Sequence, residues 1–506
     1  MNSLSNLAQK RRAELVQWIA NISKNTTILE LARKELYKKS GAELAQIMAA
    51  IPTNITWLEL GFNDFSQKSG AELAQMMAAI PKSVTSLDLI YNNLGQKSGA
   101  ELAQMMAAIP KSVTSLDLSM NYLVQKSGAE LVQMMAAIPK SVVTLQLVNN
   151  NLGQRSAAEF AQIMAAMPKS ITRLDLRSSY FSQKSGAELA QMMAAMPKSI
   201  TSLDLGDNNL GQKSGAELAQ MMAAMPKSVT RLDLRSSHFS QKSGAELAQM
   251  MAAMPKSITS LDLGDNNLGQ KSGAELAQMM AAMPKSVTRL DLGSNSLHQK
   301  SGAELAQIMA AIPKSITRLE LGANDFSQKS GAELAQMMAA MPKGVTRLYL
   351  RRNNLGQKSA TELSEMIAAI PRTVRSINLI KNGLFYNKSS MERDRLLQAL
   401  SDFNDHGRLN LSNNGESDAA RAVTADLPAY LTNVLDRDIT SHIFSFFKPH
   451  KSIQEINHRL ANNFVFIKTL KDKRNISFFS QMNNKADINE EENHNKEQRA
   501  NTQITR

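Results

Sequence analysis

Lys68–Gln96 reads KSGAELAQMMAAIPKSVTSLDLIYNNLGQ, and it recurs with small changes at a fixed step of 29 residues. Lys97, Lys126, Arg155, Lys184, Lys213, Lys242, Lys271, Lys300, Lys329 and Lys358 each open a further copy, and Lys39 opens one before it. A period of this size means a repeat array built from one small supersecondary unit. Ser69 to Glu72 has the form of a capping box: the Ser69 hydroxyl accepts from the Glu72 amide, and the Glu72 carboxylate returns to the Ser69 amide. The helix it opens is predicted to run to about Ile80. Leu73, Met76, Met77 and Ile80 then fall on one apolar stripe. Ala74, Ala78 and Ala79 favour helix and let neighbouring helices approach closely, and Pro81 ends the helix. Val84–Leu89 is β-branched and alternating, which predicts a short strand. The methionines are expected to fill gaps between helix and sheet.

From Val84 the spacing is V-x-x-L-x-L-x-x-N-x-L, ending on Asn92 and Leu94. This resembles the leucine-rich repeat pattern, and the unit length and full helix resemble its ribonuclease-inhibitor-like subclass. The resemblance implies an α/β leucine-rich repeat solenoid, a horseshoe with a parallel sheet on the concave face and helices on the convex face. A small helical C-terminal region is expected to follow it. Leu87, Leu89 and Leu94 then point inward, and the Asn92 side chain serves the backbone of the turn, as a buried amide must. No unit can bury its own apolar face, so stacked neighbours supply the stability.

The 506 residues contain no cysteine, which excludes disulfides, zinc-finger sites and thiol chemistry and suits a reducing cytoplasm. No apolar run approaches the roughly 20 residues needed to span a bilayer, so no membrane association is expected. Met1–Lys24 lacks an apolar signal-peptide core, so any export is expected to use a route independent of such a signal. The net charge of +13 raises nucleic acid or an acidic protein as partner. Nucleic acid is disfavoured, because the arginines stand beside a column of acids.

Along the chain, residues 1–38 read as a degenerate N-terminal capping repeat and residues 39–386 as twelve 29-residue repeats. Residues 387–415 are a worn last repeat, 416–472 a helical cap or separate module, and 473–506 a polar tail expected to be disordered. Units 184–212 and 242–270 are identical. In two repeats Ser179 and Ser237 replace the turn asparagine, which predicts looser turns there.

What varies between near-identical units is the strand surface. Before the first leucine of L-x-L stand Trp57, Ser86, Ser115, Thr144, Arg173, Ser202, Arg231, Ser260, Arg289, Arg318, Arg347 and Ser376. After it, Asp175, Asp233, Asp291, Glu320 and Tyr349 belong to a mainly acidic row, and Arg177, Arg235, Arg351 and Arg352 follow further on. Two readings are open: a self-satisfied arginine–carboxylate lattice on a solvated sheet, or a protein-binding face with arginine and aromatic anchors such as Trp57, Tyr180 and Tyr349. On the second, the binding residues are Trp57, Arg173, Asp175, Arg177, Arg231, Asp233, Arg235, Arg289, Asp291, Arg318, Glu320, Arg347, Tyr349, Arg351 and Arg352, and the protein is expected to act as a monomer.

No enzyme motif is present. The seven histidines include no H-x-x-x-H pair, and there is no G-x-S-x-G, Walker-type lysine loop or G-x-G-x-x-G. The recurrent Lys-Ser-Gly opens a capping box and is no phosphate loop. No cofactor, metal or catalytic residue is expected.

Beyond the array, Leu427-Pro428 and Leu435–Pro449 resemble the start of an F-box, with Leu435, Asp438, Ile439, Ile443, Phe444, Ser445, Phe446 and Phe447 in place. Asp436 stands where that family has proline, and its later tryptophan is missing. The resemblance implies docking of Leu435, Ile439, Ile443, Phe444 and Phe446 on the adaptor of a host cullin ubiquitin ligase. The alternative is an amphipathic cover for the open end of the solenoid. The tail around Glu490-Glu491-Glu492 resembles the glutamate-rich C-terminal signal of Legionella-type effectors, which implies delivery into a host cytoplasm.

Overall fold

A computed structural model describes residues 12–386, 388–404, 408–411 and 414. Among them, fourteen strands from Ile28–Glu30 to Arg408–Asn410 form one sheet in chain order. Neighbours pair parallel and in register, so Leu58 meets Leu29 and Leu87, and each row of equivalent side chains crosses the sheet as a straight line. The module at 416–472, with Leu435, Ile439, Ile443, Phe444 and Phe446, lies outside the described residues, as does the tail.

The repeat from Ser69 shows why this sequence folds so. Its helix is Gly70–Ala78, with both bonds of the capping box present. It ends two residues before Ile80, because Ala79 serves as its C-cap ahead of Pro81. The strand is Ser86–Asp88, shorter than Val84–Leu89. Leu73, Met76 and Met77 from the helix meet Val84, Leu87, Leu89 and Leu94 with no solvent exposure. Each such side chain contributes roughly 1.5–3 kcal/mol through its burial. A short 3-10 helix, Leu94–Gln96, follows the strand. The turn before it uses two left-handed residues, Tyr91 at φ 53° and Asn93 at φ 58°. Stacked strands sit about 4.8 Å apart, whereas packed helices need 8–10 Å. The array therefore bends with its sheet on the inner side.

Two networks tie most repeats to the next. The first runs through the turn asparagines. Asn121 donates to the carbonyls of Leu89, Leu118 and Ser119 at 2.9–3.1 Å. Its Oδ1 accepts from the amides of Asn92 at 2.8 Å and Leu94 at 3.3 Å. The second runs along the helix N-termini. Glu101 caps its own helix through Oε2 and accepts through Oε1 from the Gly70 amide, one repeat back, at 3.2 Å. Lys97 holds the same Oε1 at 3.0 Å and donates to the carbonyl of Lys68 at 2.7 Å. The recurrent Lys-Ser-Gly-x-Glu is thus a clamp between repeats as well as a cap. A Cβ on Gly70 would lie 2.8 Å from the Glu101 Cα, so only glycine admits this approach.

The serine turns differ from the expectation. Ser178 and Tyr180 keep φ 53° and 62°, close to 54° and 53° at Asp207 and Asn209. The backbone is therefore not loosened. What is lost is the link: no bond joins Asn150 to Ser179 or Asn208 to Ser237, whereas Ser179 and Ser237 still donate to Asn208 and Asn266 at 2.7 and 2.9 Å. The asparagine ladder is cut at two places.

Candidate protein-binding face

Strand side chains alternate, so the residues flanking the buried leucines share the concave surface. The strand register brings the arginine row and the acidic row together as two parallel lines crossing the sheet. Their charges divide into two groups that the sequence did not separate.

Four arginines are tied down. Arg177 Nη2 lies 2.7 Å from Asp175 and its Nε 3.3 Å from Asp204 on the next strand. Arg235 repeats this with Asp233 at 2.9 Å and Asp262 at 2.5 Å. Arg289 and Arg318 converge on Glu320 at 2.9 and 3.0 Å, and the Arg318 guanidinium also covers the Tyr349 ring at 4.1 Å. The paired carboxylates raise Arg177 further above its ordinary range, hydrogen bonding to Asp175 contributing most. Asp204 is pushed up to about 7, first by burial and then by Asp233 and Asp175, which together outweigh Arg177. This part is the lattice reading.

Arg173, Arg231, Arg347, Arg351 and Arg352 are exposed and form no ion pair among the described residues. Arg173 and Arg231 stand two strands apart, about 10 Å. They rim a depression of about 550 Å³ floored by Ser202, Asp204 and Asp233. Asp291 has no ion pair either and is pushed up by burial, then by Asp262.

Trp57 lies far from this cluster, at the N-terminal end of the sheet, 42% exposed. Near it is a feature the sequence reading missed. Phe62 and Tyr91 stack with ring centres 4.8 Å apart, and Tyr91 meets Tyr122 edge-on at 5.9 Å. The signal was available: the fourth residue after the first strand leucine is Phe62 or Tyr91 here but serine, asparagine or aspartate through the middle of the array. Among the described residues, no group of three or more metal-ligating side chains converges, and no helix is long and apolar enough to cross a membrane.

A leucine-rich repeat family model matches residues 197–219 and 255–277. The crystal structure of LegL7, a leucine-rich-repeat-containing protein of Legionella pneumophila, is 37% identical with a TM-score of 0.51. The match covers 58% of this chain and 93% of that one. The crystal structure of the yeast Rad7–Elc1 complex is 13% identical with a TM-score of 0.39, over 68% of this chain and 85% of that one, a likeness too slight to support any inference. No curated protein matches the sequence.

Proposed function

The chain belongs to the leucine-rich repeat family, and on that premise we propose that it is a protein-interaction scaffold whose concave face captures an acidic segment of a partner protein. The observation that carries this reading is the set of exposed guanidiniums at Arg173, Arg231 and Arg347, which form no ion pair among the described residues, whereas Arg177, Arg235, Arg289 and Arg318 are each held by a carboxylate. Arginine at the centre of such a surface is the residue type that dominates binding energy, through bidentate contacts to carboxylates. The tied arginines hold the floor in shape. The test is titration of the full chain with a fluorescent glutamate-rich peptide. Arg173→Ala, Arg231→Ala and Arg347→Ala combined should weaken it at least about tenfold, close to 1.4 kcal/mol. Unchanged affinity would sink the reading.

The setting proposed for this activity is a host cell, with the chain as a bacterial effector. The likeness to the Legionella protein LegL7 and the glutamate-rich tail support it. Translocation of a reporter fused to the full chain, lost when Glu490, Glu491 and Glu492 become alanine, would test it. The F-box-like residues Leu435, Ile439, Ile443, Phe444 and Phe446 support a second reading, in which the same face selects substrates for a cullin ligase. Binding of the full chain to the ligase adaptor, abolished by Leu435→Ala with Phe444→Ala, is the corresponding check, and absence of binding removes that reading.

A further inference from the structure

The N-terminal repeats carry a surface of different character. Phe62, Tyr91 and Tyr122 form a continuous ladder of rings along the turns that leave the strands, and the Tyr122 hydroxyl donates to that of Tyr91 at 3.3 Å. Tyr91 and Tyr122 are 38% and 40% exposed. The fold does not require these rings. Equivalent turns use Ser178 and Ser236 in place of Tyr91, and Asn93 and Asn151 in place of Tyr122, with the same left-handed backbone. Bulky residues are uncommon at such φ values.

Between Trp57 and the ring ladder runs a row of carboxylates, Glu30, Glu59, Asp88 and Asp117, in register on adjacent strands. None has an ion-pair partner among the described residues. Asp88 and Asp117 accept only local hydrogen bonds, from the amides of Ile90 and Ser119 at 2.7 and 2.8 Å. In the middle of the sheet the same row is paired with Arg177 and Arg235; here no cation pairs with it among the described residues, and of the four only Asp117 feels the charge of Arg177.

We propose that this aromatic face of the N-terminal repeats docks a lysine- and arginine-rich segment of a partner protein. The ring faces attract cations through their quadrupole, and the chain supplies its own instance, with the Arg33 guanidinium 4.4 Å above Phe62. Carboxylates one strand spacing apart repel one another, and a cation laid along the row relieves that repulsion. An acidic peptide or a nucleic acid would add to it, and a neutral apolar segment would leave it in place.

The chain's net charge of +13 makes the test sharp, because the molecule as a whole repels a basic peptide. The full chain is titrated with a fluorescent lysine- and arginine-rich peptide, followed by anisotropy and by quenching of tryptophan emission. Three variants are compared: Tyr91→Ser with Tyr122→Asn; Asp88→Asn with Asp117→Asn; and Arg173→Ala with Arg231→Ala. The first pair copies residues that fill these positions in sister repeats, and the second matches Gln146 and Asn378 in the acidic row, so folding is preserved. Saturable binding is expected, weakened at least about tenfold by each of the first two pairs. The arginine pair belongs to the acidic-partner face and should not change it, so the two surfaces can fail separately. Absence of saturable binding, or binding indifferent to the tyrosine pair, overturns the proposal.

Discussion

Ser179→Asn should stabilise the chain. Asn121 shows what a turn asparagine does: three donated bonds to carbonyls and two accepted from amides. The Ser179 hydroxyl reaches only the Arg177 carbonyl, at 3.4 Å. The groups an asparagine would serve are the amides of Asn150 and Leu152 and the carbonyl of Leu147, all in fully buried residues. Space is not the obstacle. Ser179 is followed two residues later by Phe181, and the pairs Asn63–Phe65 and Asn324–Phe326 show that asparagine and phenylalanine coexist there. Three restored bonds at about 0.5–1.5 kcal/mol each, less about 1 kcal/mol for fixing the side chain, leave about 0.5–3.5 kcal/mol.

A stacked array opens piecewise, so a single unfolding midpoint would dilute a local gain. Native-state hydrogen exchange of peptides spanning 144–182 reads it directly. The strand amides should exchange about 2- to 400-fold more slowly in the variant, and Asn92→Ser should speed exchange in its own region. Exchange unchanged or faster in Ser179→Asn would refute the ladder as an energetic link.

Stability should peak at mildly acidic pH. Asp88 is raised to about 6 by burial and by Asp117 and Glu59, so the folded chain holds its proton more tightly and gains stability as pH falls from about 6 towards the ordinary value near 3.8. The clamp carboxylates Glu72 and Glu101 are held at about 2, chiefly by their capping-serine amides, so their contribution is present above about 4.5 and is lost as pH falls towards 2. A urea midpoint that rises steadily from pH 4 to 8 would contradict this. Gly95→Ala places a Cβ 2.2 Å from the Tyr122 carbonyl oxygen. The Gly95 amide donates to the Asn121 carbonyl at 2.8 Å, whereas Ser66 in the same role sits 3.2 Å from that of Asn92, so sister turns admit a side chain by standing further off, and here the turn must give by roughly 1 Å to reach ordinary contact. A cost of about 1–2 kcal/mol is expected by urea titration, and a loss of folding would show that the turns cannot move apart.

The periodic sequence made the fold legible because its rules are local: capping box, apolar stripe, Pro81, then L-x-L. The bonds between repeats were less legible. Glu101 reads as a cap for its own helix, and nothing in its own unit says that its second oxygen serves Gly70 of the unit before. The binding face was legible as rows, since register follows from equal repeat length. Which arginines are free was not, because that depends on whether a carboxylate one strand away lies within reach: Arg177 and Arg235 reach across to Asp204 and Asp262, and Arg173 and Arg231 do not. The ring ladder escaped because it lies on the turn rather than the strand.

The acidic row runs from Glu30 to Glu320, broken only at Gln146. What changes along it is how far arginine answers it. Up to Asp117 no cation pairs with it among the described residues and rings flank it, so the surface is anionic and aromatic. From Asp175 onward arginines neutralise most of it, and the surplus guanidiniums at Arg173, Arg231 and Arg347 turn the surface cationic. Asp88 and Arg231 stand five strands apart, about 24 Å at the usual strand spacing. A single partner engaging both surfaces must therefore present a basic cluster and then an acidic one about 24 Å apart, which a helix spans in roughly 16 residues. Bringing those clusters within one helical turn of each other in a designed helical peptide should weaken binding at equal net charge, because the two surfaces could then no longer be met at once.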